Sequence, residues 1–229
     1  QHYGTPQFAR QARMAFMARA FLRSLTENGP ADEEGKTWFS LEDTDAFMQS
    51  ISTVSTEFEK DFRAFSMDEI SRAEFNEKYG HLRVGTYDIR TERYDQMNFR
   101  PGPSKSKGKA EAREDALNPG RLAEALKEVG LQVSVEQLLH FIRYAIEQRE
   151  YFKFEFTKSL SLILELLVRA GNEMEIARND LSWLEIEDFR LPQYMAMEEL
   201  RDQLEVKIRR RHKRYQQYRE LSLPEVILN

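Results

Sequence analysis

Residues 134–171 read SVEQLLHFIRYAIEQREYFKFEFTKSLSLILELLVRAG. Leu138, Ile142, Ile146, Phe152, Phe156, Leu160, Ile163 and Leu167 recur in this stretch at helical spacing and mark a buried side. Ser134 with Gln137 forms a capping box at its start, and Gly171 supplies a stop after Ala170. At about 1.5 Å per residue such a helix spans on the order of 50 Å, the length of a whole domain.

The flanking sequence has the same period. Pro6 suits the first turn of a helix running to about Leu25. Met14, Met17, Phe21 and Leu25 form one stripe on it, and Phe8, Ala12, Ala15 and Leu22 a second. That helix is therefore expected to pack on two sides and stay wet along Arg10, Arg13 and Arg23. Asn28-Gly29-Pro30 ends it, and a polar loop runs to Thr37. Ser40 then caps a helix on which Phe47, Ile51, Val54, Phe58, Phe62 and Phe65 continue the spacing. Ser66 with Glu69 marks a further start, of a short helix that stops at Gly80.

Residues 80–116 read as irregular. The basic tract Ser104 to Lys109 follows Pro101-Gly102-Pro103, matches no phosphate-loop spacing, and reads as a solvated loop. Asn118-Pro119 opens another helix, which Gly130 closes. Residues 179–189 read as a short helix or turn. A last helix follows Pro192, with Leu200, Leu204, Ile208, Tyr215 and Tyr218 facing inward, and Pro224 ends it. The segment from Leu221 to Ile227 reads as a lead into another domain. The fold class is all-α: an elongated multi-helix domain with one or two very long helices and an ordered polar loop. The expected organisation is a single helical domain over 1–229, a fragment of a larger protein, with sub-lobes 1–100 and 117–223 and a flexible loop at 101–116.

Composition narrows the function classes. Of 229 residues, 41% are hydrophobic, enough for a substantial core, and 32% are charged, which suits solvated helix faces. A net charge of −5 argues against global nucleic-acid binding. The absence of cysteine removes disulfide and thiolate chemistry and fits a cytoplasmic location. The best apolar stretch, Leu160 to Val168, is interrupted by Ser161 and Glu165 and is too short to span a bilayer. No apolar signal segment follows Gln1, and the missing initiator methionine suggests an excised piece of a longer chain.

The densest chemistry lies in Tyr79-Gly80-His81-Leu82-Arg83-Val84-Gly85-Thr86-Tyr87-Asp88-Ile89. Gly80 is expected to close the preceding helix in a left-handed conformation, and Gly85 to allow close backbone approach. His81 can donate, accept or shuttle a proton near neutrality. Arg83 offers a planar fork for a phosphate or carboxylate, with Thr86, Tyr87 and Asp88 adding polar groups. Such a loop either grips an anionic or zwitterionic ligand or is pinned by its own hydrogen bonds, with Arg83 paired to Asp88. A second group, Arg149, Glu150, Lys153 and Thr157, lies within neighbouring helical turns, and forms either an anion site or a structural ion network. The basic run Lys207, Arg209, Arg210, Arg211, His212, Lys213 and Arg214 is distributed around its helix and reads as a solvated or inter-domain face, with RNA or protein binding as the alternative. No metal-site spacing, P-loop or nucleophile elbow occurs, so no catalytic and no metal residues are assigned.

The stretch from Phe75 to Ile89, with Arg93-Tyr94-Asp95 after it, resembles the central helical region of PEP-utilising phosphotransferases, the relatives of phosphoenolpyruvate synthase and pyruvate phosphate dikinase, and within them the glutamine kinase-type branch. The segments Phe8 to Phe16, Phe47 to Ser55 and Arg149 to Lys158 resemble further helices of that region. Val84 stands where the resemblance leads one to expect proline. The resemblance implies a three-part enzyme. An ATP-grasp domain uses ATP and Mg2+ to phosphorylate a histidine on a swivelling domain, and that phosphohistidine serves a small-molecule acceptor. This chain would supply the acceptor-binding, domain-coupling module, binding no cofactor itself. Its partners would be the ATP-grasp and phosphohistidine domains of the same polypeptide. His81, Arg83, Thr86, Tyr87, Asp88, Arg149, Glu150 and Lys153 are the substrate-binding candidates, and His81 is not the phosphocarrier.

Overall fold

A computed structural model describes residues 4–85, 87–97, 112–189 and 195–221. Among these residues are eight α-helices, namely α1 (Gly4–Glu27), α2 (Leu41–Ser50), α3 (Val54–Ser66), α4 (Arg72–Tyr79), α5 (Pro119–Glu128), α6 (Val135–Glu173), α7 (Arg178–Leu181) and α8 (Met197–Arg219). No β-strand occurs among them, and the chain is all-α. Two compact units divide it: Gln1–Glu77 with Phe99–Phe156, and Lys78–Asn98 with Thr157–Asn229. Thr86, Pro192, Pro224, the tract at 101–111 and the lead after Leu221 lie outside the described residues.

In the first unit, Ala18, Leu22 and Leu25 of α1 meet Phe47 and Ile51, Leu122 and Ala125 of α5, and Ile142, Ala145 and Ile146 of α6. The small alanines let helices approach closely, and each fully buried Phe or Ile side chain is worth about 1.5–3 kcal/mol. Phe16 and Met17 are exposed, so α1 buries one face rather than the expected two. The helix expected from Ser40 onward is broken. Ile51 leaves α2 in an extended conformation, and Thr53 caps α3 in a box with Thr56. The α3 aromatics close on Phe75 of α4, with ring centroids 6.0 Å away for Phe58, 6.0 Å for Phe62 and 4.9 Å for Phe65. The cap of α4 is Ser71 with Glu74, not Ser66 with Glu69. Ser66 is the last residue of α3, and Asp68 follows in a left-handed turn at φ 61°.

In the second unit, Val168, Met174, Ile176, Leu181, Leu204 and Ile208 form the core. Helix α6 runs three residues past Ala170. The Ile176 amide bonds the Gly171 carbonyl at 2.8 Å, the Glu175 amide bonds that of Asn172, and Glu175 turns the chain at φ 56°. Gly171 therefore lies inside the helix. Its lack of a side chain serves packing, since a Cβ there would sit 2.7 Å from Leu181 Cδ1. Two expected buried stripes are corrected: Tyr215 and Tyr218 on α8, and Phe156 and Ile163 on α6, are exposed. On α6 beyond residue 156 the buried positions include Thr157 and Ser161, and that polar stripe carries the site.

Candidate functional site

The polar segment begins where α4 ends, at the buried Tyr79. Gly80 takes no left-handed conformation. The turn is made instead by the Leu82 amide, which donates to the Tyr79 carbonyl at 2.9 Å. Main-chain bonds close a neck. The Tyr94 amide donates to Leu82 and the Asp95 amide to Gly80, and Arg83 and Arg93 form an antiparallel bridge. Residues 80–95 thus make a compact loop whose ends meet, packed by its own bonds.

At the tip, Gly85 has φ 69°, which is why glycine is required there, and the Asp88 amide reaches back to its carbonyl at 2.7 Å. Thr91 Oγ1 donates to the Val84 and Asp88 carbonyls. Asp88 is held by the Arg90 guanidinium and amide, and those bonds lower its pKa to about 2. Asp88 pairs with Arg90 in the structure, so the internal pin anticipated between Arg83 and Asp88 is not the one formed. Val84 and Tyr87 are exposed at this end, and His81 is half-buried at the other.

Arg83 turns inward, its side chain 1% exposed. It donates to the Thr91 carbonyl at 3.1 Å, to Ser161 Oγ at 3.1 Å and to Glu165 Oε1 at 3.1 Å. Ser161 Oγ in turn donates to the His81 carbonyl at 2.6 Å, and His81 Nε2 lies 3.3 Å from Thr157 Oγ1. Thr157, Ser161 and Glu165 are successive i,i+4 positions, so one face of α6 receives the whole loop. Glu165 also accepts from Gln96 Nε2 at 2.8 Å and faces Arg178 at 3.6 Å. Burial pushes Glu165 upward, but the Gln96 bond and the charges of Arg178 and Arg83 outweigh it and hold the carboxyl below its usual range. Burial lowers the Arg83 pKa, although a guanidinium stays charged in proteins. Arg93 adds a third cation close enough to act on Arg83 and is paired with Asp95. Three guanidiniums therefore stand against two carboxylates, Glu165 and Asp95, which leaves a local surplus of positive charge.

The structure brings His81 and Arg83 together with Thr157 in the second unit. Arg149 and Glu150 belong to the first unit, where they pair with each other and Ser55 Oγ donates to Glu150 at 2.9 Å. Lys153, in the same unit, is exposed. The sequence reading missed Ser161, Glu165, Arg178 and Gln96. Ser161 and Glu165 had a signal, because they interrupt an apolar run at the spacing of Thr157. Among the basic run on α8, Lys207 and Arg211 both close on the buried Asp188, and Arg209 on Glu205, so these cations are spent within the unit.

Among the described residues no group of three metal-ligating side chains could hold an ion, and no helix is long and apolar enough to cross a membrane. No protein-family model, curated protein or solved structure matches the chain.

Proposed function

We propose that this chain is the acceptor-binding and domain-coupling helical module of an ATP-dependent, PEP-synthase-like phosphotransferase that works through a phosphohistidine on a separate domain. The observation that carries this reading is the fixed polar loop. Main-chain bonds close its neck, buried Arg83 locks it to α6, and the cluster behind it has a surplus guanidinium. A preset loop of this kind holds polar groups in place before a substrate arrives, and surplus positive charge favours an anionic acceptor or a transferring phosphoryl group. His81 and Tyr87 are the groups assigned here to meet the acceptor. Arg83, being buried, acts by positioning them.

ATP and Mg2+ would belong to the ATP-grasp part of the parent polypeptide. No step here is routed through the ion. Binding of RNA or protein through α8 has less support, because Lys207, Arg209 and Arg211 already bond carboxylates of their own unit.

The test is phosphoryl transfer from ATP to a panel of small acceptors by the parent polypeptide, with His81→Gln and Tyr87→Phe variants. A tenfold or greater loss of turnover or acceptor affinity, with unfolding curves unchanged, supports the assignment. Unchanged kinetics in both variants rule it out.

A further inference from the structure

Helix α1 leaves two large apolar side chains in water: Phe16 is 73% and Met17 56% exposed. At about 100° per residue, Phe16, Ala20, Arg13 and Met17 fall within about 100° of arc, opposite the buried Ala18, Leu22 and Leu25. Arg23 borders this arc on one side and Arg10 on the other, and both are exposed, as are Arg13, Arg19 and Ala20. Before Glu27 the helix carries no acidic residue. Glu27 pairs with Arg23, and Asp45 of α2 shares a cleft with Arg19 and Arg23. Four arginines against those two carboxylates leave two cations in excess, at the Arg10 and Arg13 end, on a chain whose net charge is −5.

We infer that this face of α1 lies on the surface of an anionic lipid bilayer, with Phe16 and Met17 entering the acyl boundary and the arginines reaching headgroup phosphates. The partner must be anionic to meet the arginine surplus, and apolar beneath to take Phe16 and Met17. It must also be flat. Phe47, Ile51, Leu122 and Ala125 hold α1 from behind, so a groove that wraps around a helix has no access to it. Nucleic acid meets the first condition but sets Phe16 and Met17 against phosphates and water. A lipid interface meets all three. Two apolar anchors are few, so attachment depends on the charges, is reversible and weakens with salt. This inference is independent of the phosphotransferase reading.

Vesicle co-sedimentation of the 229-residue chain tests it, with phosphatidylcholine alone and with about 30% phosphatidylserine added. Binding is expected on the anionic vesicles alone, and should be lost at about 0.5 M salt. Arg10→Glu with Arg13→Glu should weaken it about tenfold or more, and Phe16→Ser about threefold or more, with helicity unchanged. Arg210→Glu with Lys213→Glu, the same change of charge at exposed positions of α8, should leave it intact. Because the chain contains no cysteine, a polarity-sensitive dye attached to the Met17→Cys variant should brighten on the anionic vesicles. Absence of binding to those vesicles would overturn the proposal. So would binding indifferent to Phe16→Ser, an equal loss from the α8 pair, or poly(U) RNA bound as tightly as the vesicles through Arg10 and Arg13.

Discussion

Ser161 Oγ donates to the carbonyl oxygen of His81 at 2.6 Å while accepting from Arg83 at 3.1 Å. One hydroxyl thus joins a main-chain oxygen at the start of the loop to the guanidinium that fills its centre. Ile89 anchors the loop in the second unit's core, and these bonds order its polar part.

Loss of a latch residue should therefore exceed the cost of a surface change. Ser161→Ala removes a donor and an acceptor from a buried site and should cost about 1–3 kcal/mol. Glu165→Ala leaves buried Arg83 without its carboxylate and should cost about 3–5 kcal/mol. Replacing Arg83 and Glu165 together by apolar residues should cost less than the sum of the single changes. Urea unfolding gives the energies. Faster amide exchange at Tyr94 and Asp95 would show that the neck has opened.

Acid should unfold the second unit through its paired carboxylates. For Asp188, burial acts upward, but Arg211, the Glu185 amide and Lys207 hold its pKa well below the usual value. A pKa lower in the folded than in the unfolded state means that the native form binds fewer protons. The stabilisation is then complete above about pH 4 and is lost as pH falls below that value. Asp188→Asn should flatten the fall in stability between about pH 4 and pH 2, while lowering stability at neutrality.

Two glycines are there for space, and their replacement should differ in cost. A Cβ at Gly29 would lie 2.2 Å from the Leu25 carbonyl oxygen, an obstacle in the backbone. At Gly171 the obstacle is the Leu181 side chain at 2.7 Å, which can rotate away. Gly171→Ala should cost about 1–3 kcal/mol, and Gly29→Ala more. Thermal unfolding of the two variants ranks them.

Tyr87→Ala should separate function from stability. The side chain is exposed at the loop tip, so unfolding free energy should change by less than about 0.5 kcal/mol. Acceptor affinity of the parent polypeptide should fall, as read by isothermal titration.

Helix α6 was legible because Ser134 and Gln137 mark its start and the apolar spacing after them is long, whereas Gly171, read as its stop, lies inside it. The break at Ile51 to Thr53 was not, because Phe47, Ile51, Val54 and Phe58 keep helical spacing across it and only the Thr53 and Thr56 pair announces it. The loop was legible as a polar cluster, but its anchors were not. Glu165 is 82 residues from Arg83, and a contact at that separation is decided by packing. Phe156 and Ile163 show the limit of periodicity. It marks an apolar face without saying whether the chain itself or another molecule covers that face.

The neck of the 80–95 loop is closed by amide-to-carbonyl bonds, which are indifferent to side-chain identity. Val84 and Tyr87 at the tip are exposed and can be exchanged without touching the neck, the Arg83 latch or the Asp88–Arg90 pair. Foundation and tip can therefore mutate separately. A library randomised at those two positions could re-target the loop to new small molecules while the bonds that fix it stay in place.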